Sequence, residues 1–205
     1  MSKLPPPPSA TDGVAEPVDG THAVRKNQLR LLVEWVALLT LALLVAVGLR
    51  TYAFQTFYIP SGSMMPTLQV GDRIVVDKFA IDFGTIHRGD ILVFKAPPTL
   101  NCGEPSAVDL VKRVVGLPGD SLYSIGNTVY VNHRVLREKW GHFEPLTPPI
   151  ASVAEPVVVA ANHYFMMGDN HPNSCDSRIW GTISRSDVIG KAFFRLWPLR
   201  RLGAL

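Results

Sequence analysis

Between Leu31 and Leu49 the chain reads LLVEWVALLTLALLVAVGL, an apolar run broken by one charge, Glu34. As a helix rising ~1.5 Å per residue, such a run spans ~28 Å, close to the ~30 Å hydrocarbon core of a bilayer. It has no polar face, which a helix packed on a soluble core would keep. It is also longer than the ~7–15 apolar residues of a cleaved leader, and TYAFQTFYIP follows it in place of a small-x-small cleavage site. The pattern predicts an uncleaved transmembrane anchor over residues 31–50.

The texture differs on either side. Residues 1–30 open with MSKLPPPPSATDGVAEPVDG, and the proline run Pro5–Pro8 lies in a segment too poor in apolar residues to repay its ordering entropy. They read as a flexible, Pro-rich tail. Arg25, Lys26 and Arg30 precede the apolar run, whereas Arg50 alone follows it closely. The basic side stays cytoplasmic, so the tail is expected inside and residues 51–205 outside.

After the anchor the hydrophobic period shortens from helical to alternating. DRIVVDKFAI (72–81), GDILVFKAP (89–97) and DLVKRVVGL (109–117) are β-branched runs closed by Gly, Asp or Pro. SLYSIGNTVYVNHRVL (121–136) predicts a hairpin around Gly126-Asn127, with a further turn near Asn132. PVVVAANHYFMMGD (156–169) and DVIGKAFFRLWP (187–198) complete the strands, and no long amphipathic helix interrupts them. The fold class expected is mostly β, an antiparallel β domain behind one N-terminal transmembrane helix.

Composition narrows the function. Of 205 residues, 47% are hydrophobic and 18% charged, against a usual ~25% charged, which excludes a disordered chain. A net charge of +3 is too balanced for a charge-driven nucleic-acid binder. Cys102 and Cys175 exclude a disulfide-dense fold and a four-cysteine metal site. An extracytoplasmic domain would permit a disulfide between them, and the sequence leaves two thiols equally open. There is no HExxH, no paired CxxC and no Gly-rich phosphate loop, so neither a metal nor a small-molecule cofactor is expected.

The candidate chemistry lies in three segments. In IPSGSMMPTLQVGD (59–72), two prolines stiffen a polar loop, and Gly62 allows close backbone approach between Ser61 and Ser63. A nucleophilic serine needs such a fixed turn beside oxyanion donors. DLVKRVVGLPGD (109–120) sets Lys112 in an apolar strand, and GDNHPNSCDSRIWG (168–181) clusters small polar residues. In this order, behind an apolar anchor, the three segments resemble the boxes of the type I signal peptidase (leader peptidase) family over roughly residues 50–198.

The resemblance implies roles. Ser63 would be the nucleophile and Lys112 the general base. The Ser63 main-chain N–H and the Ser61 hydroxyl would form the oxyanion hole. Ser174 would hydrogen-bond the lysine amine, Asp176 and Arg178 would pair to brace that loop, and Asp169 and Asn170 would support it. Phe57, Ile59, Met64 and Val111 would line the substrate groove. His171-Pro172 stands where many family members carry Arg-Asp. A lysine base must be neutral. Lowering its pKa from ~10.4 to ~8 takes ~3 kcal/mol of bias, which desolvation among Leu110, Val111, Val114 and Val115 supplies. On the alternation of the strand, Arg113 points the other way and stays solvated.

The expected function is removal of N-terminal signal peptides from exported preproteins after a small-x-small site. The expected partners are such preproteins and the lipid bilayer, with no nucleic acid. The site would face the outer side of a plasma (inner) membrane, a thylakoid or organelle membrane remaining open. Alternatives are a specialised maturation peptidase of a conjugation or pilin system, and an inactive peptide-binding adaptor. Phe57-Tyr58-Ile59 reads equally as a bilayer-facing patch or as core and groove packing.

Overall fold

A computed structural model describes residues 20–102, 109–137, 140 and 144–205, with the side chains of residues 20–29, 49–52 and 82 left aside. The chain divides into two units, Met1–Gly48 and Leu49–Leu205. Helix α1 runs Gly20–Ala53. Within it, Arg30–Gly48 has a mean hydropathy of 2.4 and is long and apolar enough to cross a membrane. Every side chain from Leu31 to Val47 is exposed, on all faces of the helix. The helix begins before the apolar run, so residues 20–30, read from the sequence as tail, are helical. Ala, Arg, Lys, Gln and Leu there favour helix, and the last proline upstream is Pro17. Pro5–Pro8 and the rest of residues 1–19 lie outside the described residues.

The second unit is built from antiparallel strands. They are β1 (Phe54–Tyr58), β2 (Arg73–Asp77), β3 (Ile91–Lys95), β4 (Asp109–Gly116), β5 (Ser121–Ile125) and β6 (Thr128–Val131), then β7 (Arg134–Val135), β8 (Val157–Val158), β9 (His163–Met167), β10 (Ile183–Ser184), β11 (Val188–Trp197) and β12 (Gly203–Ala204). Among the described residues, one sheet has the order β1-β2-β11-β3-β4-β9-β10, with β12 on β11. The other has the order β7-β6-β5-β8. Two four-residue helices, α2 (Phe79–Asp82) and α3 (Ser177–Trp180), connect strands.

Alternation along the central strands explains why the first sheet is apolar on both faces. In β3, Leu92 and Phe94 join a core with Val114, Met166 and Trp180. Ile91 and Val93 join another with Ile59, Met64, Leu68 and Ile74. In β9, Tyr164 and Met166 face the first core, while Phe165 and Met167 face a third with Leu122 and Val131. Side chains two apart share a face, so a strand buried on both sides reads as a continuous hydrophobic run.

Turn chemistry sets the second sheet. Gly126 opens the β5–β6 turn at φ +58°, and Asn132-His133 joins β6 to β7 with φ of +52° and +63°. A two-residue turn with both φ positive matches the twist of the strands it joins, and Asn tolerates that region.

Three segments differ from the sequence reading. Residues 79–81, expected as the end of a strand, instead fall in α2, whose first turn is held by Asp77 Oδ1 accepting from Ala80 N at 3.2 Å. FQTFY (54–58) forms β1, paired along its length with β2. The run 156–169 is two strands, because the Asn162 backbone turns at φ +58° ahead of β9.

Candidate active site

β4 carries Lys112 opposite Leu92 of β3, and Arg113 between Ile91 of β3 and Met167 of β9. The Lys112 side chain is 4% exposed, and its Nζ donates to Ser63 Oγ at 2.7 Å. Ser63 is itself 9% exposed and lies on the loop joining β1 to β2. That loop is anchored by its apolar residues, since Ile59, Met64 and Leu68 are buried together. Ile59 N donates to Asp72 O and Gly71 N to Ile59 O, both at 2.9 Å, which closes its base. The Ser61 and Ser63 hydroxyls are 3.4 Å apart, and Ser61 is exposed.

The β9–α3 loop packs on the far side of Ser63. A Cβ on Gly168 would collide with the Ser63 carbonyl oxygen and with Ser174 Oγ, so only glycine allows the loops to approach this closely. Asn170 touches the serine loop twice. Its main-chain N donates to Ser63 O and its Nδ2 to Gly62 O, both at 3.0 Å. Asp169 accepts from Arg113 Nε at 2.8 Å and Nη2 at 2.7 Å, and from the Thr67 hydroxyl.

Arg113 corrects the sequence reading. Far from being solvated, it is 6% exposed and also donates to Gly89 O at 2.7 Å. Its guanidinium stacks 4.7 Å from the Trp140 ring centroid. A charge in an apolar strand is either at an edge or buried with a partner, and β4 is central to its sheet.

Asp176 and Arg178 form a bidentate pair with both side chains fully buried, at 2.7 Å for Nε–Oδ1 and for Nη2–Oδ2. The same carboxylate accepts from Gly168 N at 3.1 Å, and the guanidinium donates to the carbonyls of His171 at 2.8 Å and Thr147 at 3.0 Å. Two charges without solvent need this many partners. Ser174 is buried beside them, but its hydroxyl has no hydrogen-bond partner, so the bond to the lysine amine expected from the sequence is not formed here. A disulfide joins Cys175 to Cys102, with Cα atoms 6.2 Å apart, which ties this loop to the segment after β3. Of the expected groove residues, Phe57 and Val111 are half-buried, while Ile59 and Met64 lie inside the core.

Behind the serine loop, Arg195 Nη1 and Arg201 Nη2 donate to Thr67 O at 2.8 and 3.2 Å, and Arg201 also grips both oxygens of Asp72. Burial, then the neighbouring Arg201, lowers the pKa of Arg195, against the opposing pull of Asp72. Sequence reasoning singled out Ser63, Lys112 and the polar loop, but not Thr67, Gly168 or the pairing of Arg113.

The site therefore sets a buried amine against a serine of the β1–β2 loop, within an antiparallel β unit. The family described as signal peptidase, peptidase S26, matches residues 32–197. Signal peptidase I of Leptolyngbya laminosa is 38% identical over 175 residues, covering 85% of this chain and 84% of that protein. Signal peptidase I of Pseudomonas aeruginosa is 34% identical, covering 93% and 82%. Signal peptidase I T of Bacillus subtilis is 30% identical, covering 89% and 94%. The chain belongs to the signal peptidase family, peptidase S26, and is a hydrolase of peptide bonds.

Proposed function

We propose that this chain is a membrane-anchored serine endopeptidase that removes N-terminal signal peptides from exported preproteins after a small-x-small site. The observation that carries the reading is the 2.7 Å approach of Lys112 Nζ to Ser63 Oγ, with both residues buried. A base must be neutral, and the burial of Lys112 is the setting in which a lysine serves as one.

Ser63 Oγ attacks the scissile carbonyl carbon while its proton passes to Lys112 Nζ. The oxyanion that forms is held by the Ser63 N–H and the Ser61 hydroxyl. Lys112 returns the proton to the leaving amine, and the carbon–nitrogen bond breaks to leave an ester on Ser63. The neutral amine then takes a proton from water, which attacks the ester, and Ser63 leaves with that proton. Ser174 lies buried close to the serine loop across Gly168, with its hydroxyl unused in this structure. Asp176 with Arg178, and Asp169 with Asn170, hold the loops that bring Gly168 against Ser63. Phe57 and Val111 border the groove for the residues before the cut, with Ile59 and Met64 buried in the cluster they pack against.

Residues 31–50 anchor the chain, residues 1–30 lie in the cytoplasm, and residues 51–205 work on the outer face of the plasma membrane. The apolar, fully exposed helix surface supports the anchor, and the disulfide supports an oxidising side for the β unit. The test is cleavage of a preprotein whose signal ends in Ala-x-Ala by the detergent-solubilised full chain, with mass spectrometry locating the cut. One cut after that site, absent with Ser63→Ala and with Lys112→Ala, is expected. Undiminished cleavage by either variant would overturn the dyad.

A further inference from the structure

We propose that Asn170 is a positioning residue that aims the Ser63 N–H at the oxyanion by gripping the other end of the same peptide unit. The inference rests on the reading of Ser63 as nucleophile. The peptide joining Gly62 to Ser63 is planar and trans, so its C=O and N–H point in opposite directions. Whatever fixes the Gly62 oxygen fixes the Ser63 N–H. Two donors do so: Asn170 Nδ2 at 3.0 Å and Met65 N at 3.1 Å. Met65 belongs to the same turn and moves with it, whereas Asn170 comes from the β9–α3 loop, more than a hundred residues along the chain.

The need for an outside grip follows from the residue it holds. Glycine has the widest backbone freedom of any residue, and rotation about Gly62 is what would turn this peptide over. A turned peptide would present the Gly62 carbonyl oxygen, in place of the Ser63 N–H, to the developing negative charge. Asn170 opposes that rotation at a second point, because its own N–H donates to the Ser63 carbonyl at 3.0 Å. One residue thereby holds the carbonyls on both sides of the nucleophile. Its neighbour Asp169 accepts from Thr67 and from Arg113, which anchors the clamp to the end of the serine loop and to β4. Among the described residues, no acceptor takes the Ser63 N–H.

The side-chain type matters. An amide donates to a carbonyl where a carboxylate of the same shape would set oxygen against oxygen. Asn170→Asp keeps the volume and removes the donor, and Asn170→Ala removes both. An oxyanion donor is worth about 100- to 1,000-fold in kcat, and a loosened donor should cost about 10- to 100-fold.

The experiment measures kcat and KM for preprotein cleavage by the full chain in detergent. It adds the affinity for a peptide aldehyde, which forms a hemiacetal on Ser63 and places an oxygen at the oxyanion position. It also records the affinity for the unreactive cleaved signal peptide, and thermal unfolding confirms that each variant is folded. In both variants, kcat and aldehyde affinity are expected to fall by about the same factor. KM, product affinity and the acid limb of the pH profile are expected to hold. If Asn170→Ala does not fold, Asn170→Asp decides alone.

The inference is overturned if kcat in the folded variants stays within about twofold of the parent. It is overturned too if product affinity falls in step with kcat, or if the acid limb moves, which would place the effect on the groove or on Lys112. Full cleavage by Ser63→Ala would instead sink the proposed function.

Discussion

Replacing Arg113 with methionine isolates what the buried pair beneath the site contributes to stability. Arg113 and Asp169 have side chains 7% and 1% exposed and share two hydrogen bonds of 2.8 and 2.7 Å. Arg113→Met preserves apolar bulk but leaves the Asp169 carboxylate in the interior with the Thr67 hydroxyl as its remaining side-chain partner. Breaking a buried pair from one side costs about 3–5 kcal/mol, because the surviving charge has lost both water and counter-ion. At about 2–4 °C per kcal/mol for a domain of this size, the melting temperature should fall by roughly 6–20 °C. The assay is thermal unfolding of the full chain in detergent, read by tryptophan fluorescence. Asp169→Leu is run alone and with Arg113→Met. Losing both charges should cost less than losing either one, since replacing a whole buried pair by apolar groups is often close to neutral. A shift within about 0.5 kcal/mol for Arg113→Met would refute the reasoning, because that is the value of an exposed side chain.

Gly168→Ala should abolish cleavage while the protein still folds, since its Cβ would push the Ser63 carbonyl and Ser174 apart; activity above about a tenth of the parent in a kcat assay would contradict this. Changing Cys102 and Cys175 together to alanine should lower stability by roughly 4 kcal/mol, the loop-closure value for a crosslink between residues 73 apart, as read by denaturant unfolding. Arginine at both Leu39 and Leu43, near the middle of the apolar run, costs about 2.5–3.5 kcal/mol each in a bilayer and should release the protein from carbonate-washed membranes.

The apolar N-terminal helix and most of the central strands were legible because their signals are local. LLVEWVALLTLALLVAVGL is apolar all round, and ILVFK and DLVKRVVG alternate into two cores. FQTFY was not read as β1, because its partner strand lies across the serine loop and its own burial is slight. FAID keeps an apolar texture, but the Asp77 carboxylate accepts from Ala80 N, and this local hydrogen bonding favours α2 over a strand. β10 and β12, two residues each, exist through pairing with β9 and β11 and carry no period of their own.

The site divides in the same way. Ser63, Lys112 and the polar loop were recognisable as motifs, whereas nothing in residues 109–120 says that Arg113 finds Asp169, 56 positions on. Nor does the sequence say whether Cys175 and Cys102, its two cysteines, pair or stay thiols. The Ser174 hydroxyl was assigned a bond by resemblance that the structure does not form, since hydroxyl orientation depends on the packed neighbourhood rather than on the motif.

The account stands most directly on the claim that Lys112 activates Ser63. Rapid quenching during preprotein cleavage, followed by peptide mapping of the intact chain, would locate the covalent ester. The account predicts the signal-peptide acyl group on Ser63 in the parent, and none in Lys112→Ala over the same interval. An acyl group on another residue, or equally fast acylation of Ser63 in Lys112→Ala, would contradict it.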